Sequence, residues 1–305
     1  MKPLRFYIRH LKHVTDPLLG SAAVWLLKLL RRTDPHRMAG RAGKFMRTLG
    51  PFLPEHRIGR ANLQAALPEK SSHEIEAILA GVWDNLGRVG AEFAHLDRLW
   101  DYDFARPNVG RIEFTARSVE LYERLRDDGK PALIFAAHLG SWELPPLAAA
   151  AYGLPAAVVY RPPNIGPIAK AIMSARAGSI GELIASGPNA PFRIARALEQ
   201  GMHVGMLVDQ HFSRGVDVSF FGRRCKANPL IARLARQFDC PIHGVRAVRL
   251  EGGRFRPEIT EAVEPPRDAQ GRIDVRGTMQ AITSVVESWV REYPDQWLWL
   301  HRRWR

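Results

Sequence analysis

With 305 residues, 46% hydrophobic and 25% charged, the chain has enough apolar material for one α/β core with an appended helical region, which excludes a disordered chain. The net charge of +13 calls for an acidic partner: a nucleic acid, an anionic membrane or an acidic protein. The only cysteines, Cys225 and Cys240, form no C-x-x-C pair, so no disulfide framework or zinc set is implied and a reducing compartment is expected.

The basic excess is N-terminal. Residues 1–60 carry thirteen Lys or Arg against Asp16, Asp34 and Glu55. Pro17 to Leu27 is uncharged but only eleven residues long, whereas a bilayer span needs about 20. A short apolar helix with basic flanks fits an interfacial anchor, each cation near an anionic leaflet contributing roughly 1 kcal/mol. An amphipathic helix packed on its own domain is the competing account. No small-residue cleavage site follows, so no secretory signal is expected and the rest of the chain should face the cytoplasm. We therefore divide the chain into anchoring helices over 1–50 and a domain over 51–305.

From Ser72 to Leu96, Ile75, Ile78, Leu79, Val82, Leu86, Val89 and Phe93 recur at helical spacing, with Ser71 or Ser72 as cap. Beyond residue 110 the pattern alternates. Strands are expected at Glu113–Thr115, Ala132–Ala137, Ala156–Tyr160, Leu183–Ile184 and Val204–Val208. Helices are expected at Val119–Arg126, Leu144–Ala151, Ile165–Ala177 and Phe192–Gln200. A helix at Leu230–Phe238, an antiparallel pair Ile242–Leu250 and Phe255–Thr260 around Glu251-Gly252-Gly253, and a helix at Gly277–Arg291 complete the reading. The fold class is α/β, a largely parallel mixed sheet flanked by helices, with an N-terminal helical membrane-associating region.

The most informative stretch is Pro131–Pro146, PALIFAAHLGSWELPP. Its apolar run reads as a buried parallel strand ending in His138, at the sheet edge where open α/β sheets bind ligands. If a helix starts near Ser141, Glu143 falls in its first turn and its carboxylate could meet the imidazole. That would pair a general base with an orienting carboxylate. A packed histidine and a glutamate favoured by the helix dipole is the alternative that spacing alone leaves open. Arg161 follows another strand at the same edge, and its planar fork suits an anion; a solvated loop arginine is the bland account. Asp209 and Gln210 end Val204–Val208 and should face the cleft, orienting substrate or supporting His138, unless they only cap the strand. His203, His243 and His301 lack metal-ligand spacing, so no metal is expected.

His138-Leu139-Gly140-Ser141-Trp142-Glu143 resembles the H-x-x-x-x-E motif of the late, lauroyl/myristoyl-type lipid A biosynthesis acyltransferases, within the wider lysophospholipid acyltransferase-like superfamily. Further matches follow in order: Arg60-Ala61-Asn62-Leu63 with Leu67-Pro68-Glu69, Tyr160-Arg161-Pro162, Val208-Asp209-Gln210, Phe220-Phe221-Gly222, and Pro294 through Trp304. The resemblance covers about residues 55–305. It implies transfer of a fatty acyl chain from acyl carrier protein to a hydroxyl of a lipid A precursor at the inner membrane, in lipopolysaccharide biosynthesis, without a cofactor. It assigns His138 and Glu143 to catalysis and Arg161 to substrate or carrier binding, and Asp209 matches an aspartate of the family. Arg176 occupies a slot similar to that of Arg161. Arg223 and Arg224 would face a glycolipid acceptor's negative charges, while Phe220 and Phe221 either enter an acyl tunnel or fill core. The tail Trp297–Arg305 mixes indoles and cations, as at a membrane interface or in a buried terminal strand, with Trp297 and Trp299 on one face. The short apolar segment departs from the family's usual N-terminal transmembrane helix.

Other readings are an acyltransferase for a different lipid, such as a phosphatidylinositol mannoside or lysophospholipid, and a basic membrane-binding protein without catalysis. A Ser141 hydrolase is disfavoured because G-x-S-x-G is absent. Nucleic-acid binding is disfavoured because no recognition motif is present.

Overall fold

The computed structural model describes Trp25, Leu29 and residues 31–107, 109–161 and 180–305. The apolar stretch 17–27, Trp25 apart, the helix expected over 165–177, and Arg176 lie outside the described residues.

Two layers organise the chain. The first is helical: α1 (Pro35–Leu49), α2 (Pro54–Ala66) and α3 (Ser72–Glu92). The N-terminus of α3 is closed by a capping box in which Ser71 and Glu74 satisfy each other's backbone N–H groups. α1 lies against α3 at close range because glycines face it. A Cβ on Gly50 would fall 2.2 Å from the Trp83 ring, so no larger residue fits there. Among the described residues, no helix is long and apolar enough to cross a membrane.

The second layer is the sheet. Its strands are β1 (Leu133–Ala136), β2 (Ala156–Tyr160), β3 (Glu182–Ala185), β4 (His203–Leu207), β7 (Ile242–Arg249) and β8 (Phe255–Ala262), in the order β3-β2-β4-β1-β7-β8. The first five in that order are mutually parallel, and β8 returns antiparallel to β7. Gly252 and Gly253, at φ 70° and 72°, make the reversal between them. Helices α4 (Ala116–Asp127), α5 (Leu144–Ala151), α6 (Ala190–Glu199), α7 (Leu230–Phe238) and α8 (Val275–Glu292) flank the sheet. β1 is central, and alternation sends Leu133 and Phe135, both wholly buried, to one face, where Phe135 stacks on Trp289 of α8.

Four expectations change. Glu113–Thr115 is not a strand; a single bridge joins Ile112 to Phe255, and Thr115 is already the N-cap of α4. The helix after His138 has its expected span, Leu144–Ala151, and does not start near Ser141, so Glu143 is its N-cap residue rather than part of the first turn, because Pro145 and Pro146 fit only a first turn. Phe220-Phe221-Gly222 forms the turn of a separate hairpin, β5 (Val216–Phe220) with β6 (Arg223–Ala227). Both phenylalanines are buried against tryptophans, so they fill core. The C-terminal tail forms no strand, but its indoles are buried as one of the two readings had it: Trp297 and Trp299 have no exposed area and meet edge to face at 4.8 Å.

Candidate active site

Parallel register builds the site. Ala136 of β1 pairs with Leu207 of β4, so two residues further on His138 and Asp209 emerge side by side at the carboxyl edge. Asp209 Oδ1 lies 2.8 Å from His138 Nδ1, and Oδ2 accepts the backbone N–H of His138 at 2.9 Å. Oδ2 also accepts the indole N–H of Trp297 at 2.8 Å. A 3%-exposed carboxylate is thereby given three donors, which meets the cost of burying it.

Electrostatics follow from this geometry. Burial opposes a charged His138, but the Asp209 carboxylate, its hydrogen bond and the nearby charge of Glu143 outweigh it and hold the imidazole pKa above its ordinary value. Burial would raise the Asp209 pKa, yet His138, its hydrogen bond and His301 hold that carboxyl well below the usual range. With an ionised Asp209 on Nδ1, the ring proton sits there and Nε2 is left with its lone pair outward. The side-chain amide of Gln210 is 3.4 Å from Nε2, and the Trp142 ring approaches edge-on at 5.3 Å.

His138 lines a cavity of about 730 Å³. It runs beneath α5 along the second face of the sheet, past Ala136, Val158, Gly205 and Ile134 to Leu125 and Tyr122. Small residues on that face leave the room. β4, His203–Leu207, runs along the space for roughly 16 Å, and both His203 and Gln210 line it.

Glu143 and Arg161 also line this cavity. Glu143 is buried beside His138, but the carboxylate on Nδ1 is that of Asp209, a neighbour made by strand register and separated by 71 residues in sequence. Arg223 and Arg224 are not in the cavity wall: Arg223 lies over the Trp304 ring at 4.7 Å and Arg224 pairs with Asp217 on the hairpin surface. Ser141 is 1% exposed and donates its hydroxyl to Glu92, so it presents no nucleophile. The backbone N–H groups of Gly140 and Ser141 are spent on the carbonyls of Gln296 and Ala247, so neither serves as an oxyanion donor. Sequence reasoning missed Trp297 as a ligand of Asp209; its signal is a tryptophan inside a matched motif, which fits a membrane interface and a buried terminal strand alike.

A histidine paired with a buried carboxylate, lining a largely apolar cavity, is an arrangement that can activate a hydroxyl beside an aliphatic chain. The family model for bacterial lipid A biosynthesis acyltransferases matches residues 2–305, and the chain belongs to that family. No curated protein matches it. The chain is thus an acyltransferase of lipid A biosynthesis.

Proposed function

We propose that the protein transfers a fatty acyl chain from the thioester of acyl carrier protein to a hydroxyl of a lipid A precursor, with His138 as general base. The observation that carries this is the largely apolar cavity that His138 lines. One bilayer leaflet, half of the ~30 Å hydrocarbon core, measures the length of a fatty acyl chain at about 15 Å. β4, five residues or roughly 16 Å of strand along the cavity, matches the length of such a chain with its thioester beside His138.

In this reading Nε2 removes the acceptor proton as the oxygen attacks the thioester carbon, while Asp209 steadies the imidazolium that forms. Collapse of the tetrahedral intermediate breaks the carbon–sulfur bond. The imidazolium returns its proton to the departing sulfur, leaving an ester and a free thiol. Glu143 adds negative charge beside His138, and Arg161 and the Gln210 amide are the donors near the developing oxyanion. Arg223 and Arg224, outside the cavity, are proposed only for the headgroup or carrier that projects beyond it, and Arg176 for the same anions.

We place the protein at the inner membrane, its catalytic part facing the cytoplasm. α1 contains four Lys or Arg (Arg37, Arg41, Lys44, Arg47) and no acidic residue. Phe45, Leu49 and Phe52, spaced to share one side, are exposed. Cations around exposed aromatics suit an anionic lipid surface, and this supports anchoring over residues 1–50.

The test is acyl transfer from radiolabelled acyl carrier protein thioesters to a tetraacylated lipid A precursor, by the wild type and by His138→Ala. Transfer that falls at least a hundredfold in a folded variant supports the reading. Equal transfer by both removes His138 from the mechanism, and no transfer by the wild type removes this acceptor.

A further inference from the structure

One buried polar cluster lies outside the cavity wall and is not used by the chemistry above. Arg249, at the end of β7, meets Glu92, at the end of α3, through two bonds of 2.6 and 3.1 Å. Glu92 is 2% exposed. Its Oε2 also accepts the hydroxyl of Ser141 at 3.0 Å. The Nε of Arg249 donates to Asn85 Oδ1 at 3.0 Å, and Asn85 Nδ2 donates to the carbonyl of Gly140 at 3.1 Å. The contacts close a ring: Ser141 to Glu92, Arg249, Asn85 and back to Gly140. It encircles a single peptide two residues after His138.

The same cluster reaches the other half of the dyad through Gln296. Its side-chain amide binds both main-chain groups of Arg249, at 2.9 and 2.8 Å. Its carbonyl accepts from Asn85 Nδ2 and from the N–H of Gly140. The next residue, Trp297, is the one that donates to Asp209, and Leu298 N–H binds the carbonyl of His138. Gly140 is bound to its place by sterics as well. It sits at φ 59°, and a Cβ there would lie 2.0 Å from the Ala247 carbonyl oxygen.

We propose that Glu92 and Arg249 are positioning residues of the acyl-transfer reaction: they touch no reacting atom, but clamp Gly140–Ser141 and Gln296, and so hold His138 in register with Asp209. Buried ion pairs are poor stabilisers, since desolvation consumes much of their Coulombic gain, and apolar pairs of similar size often do as well. What this pair supplies is a fixed geometry joining the helical layer to the loop that carries the base. Displacing a base by about 1 Å can cost on the order of 10²-fold in rate. The proposal rests on His138 acting as the base.

The experiment compares the full-length wild type with Arg249→Lys, which keeps the charge but loses the two-pronged grip, and with the double variant Glu92→Leu/Arg249→Leu. The melting temperature, kcat and KM are measured for each. So is the pH dependence of diethylpyrocarbonate modification of His138, read by peptide mass spectrometry. We expect the double variant to melt close to the wild type, with kcat about 10–100-fold lower and KM nearly unchanged. The midpoint of His138 modification should move down toward the ordinary imidazole value of 6.5 as the dyad loosens. Should the double variant not fold, Arg249→Lys is read alone by the same criteria. Wild-type kcat together with a wild-type modification profile, in whichever folded variant is read, overturns the proposal. If the wild type itself transfers no acyl group, the reaction assigned above is wrong, and the modification profile still decides whether the pair positions His138.

Discussion

Asp209 grips His138 at two points, ring Nδ1 at 2.8 Å and backbone N–H at 2.9 Å, one with each carboxylate oxygen. A single side chain therefore sets the tautomer, the ring direction and the path of the loop. Asp209→Asn keeps the size but offers one acceptor where three donors converge. We expect kcat to fall about 10²–10⁴-fold, the range spanned by loss of general-base assistance. The measurement is single-turnover acyl transfer; a fall of less than threefold in a folded variant would mean that the carboxylate does not serve the base.

The same contact sets the pH dependence. As the proposed base, His138 must be neutral to take the acceptor proton, and its pKa is raised above the ordinary 6.5. A raised pKa keeps the ring protonated to higher pH, so the acidic limb of kcat/KM should lie above 6.5, and activity should rise through it toward alkaline pH. In Asp209→Asn the chief raising cause is gone while burial remains, so the limb should move to lower pH. A limb that stays in place would assign it to another group.

Trp297→Phe keeps the ring in the core and deletes the indole N–H that Asp209 accepts. A hydrogen bond to a charged group contributes about 1.5–3 kcal/mol, and chemical denaturation should show a loss of that order. Activity should fall as well, because Asp209 is then free to turn away from His138. Unaltered stability would show that the carboxylate finds another donor.

Much of this could be read before the fold was known, and what could not has a physical cause. Runs such as Ala132–Ala137 and Ala156–Tyr160 carry their strand signal locally, and α5 and α7 lie at the residues where periodicity put them. His138 was recognisable because its motif is contiguous. Glu143, five residues on, is the nearest carboxylate in sequence and the expected orienter of the ring, with Asp209 offered only as a residue that orients substrate or supports His138. Asp209 reaches Nδ1 through the pairing of β1 with β4, and register between strands seventy residues apart leaves no local pattern. The cavity is likewise a sum of small residues on separate strands. Trp297 and Trp299 were ambiguous because indoles next to arginines suit a membrane interface and a core equally well.

Asn62, inside the Arg60-Ala61-Asn62-Leu63 match, tests whether that motif is structural. Its Nδ2 donates at 2.8 Å to the carbonyls of both Trp299 and His301, tying α2 to the C-terminal segment. Asn62→Leu strands both acceptors, a cost of about 1–3 kcal/mol for a buried group. We expect a lower melting temperature with KM for the acyl donor unchanged. A changed KM with unchanged stability would place this motif in substrate binding.

Gly205 lies halfway along β4 on the cavity wall, and a Cβ added there would meet only the Ala157 carbonyl oxygen, at 3.9 Å. A larger side chain is therefore free to point into the cavity without breaking the sheet. Gly205→Leu should shorten the usable space while leaving His138 and Asp209 untouched. Against a series of acyl donors, transfer of the longest chains should drop by about 10–200-fold, the discrimination that a few methylene-sized groups give in an apolar pocket. Transfer of shorter chains should persist. An unchanged chain-length profile would place the acyl chain elsewhere, since a leucine in the middle of its path cannot be neutral to a chain that must pass it.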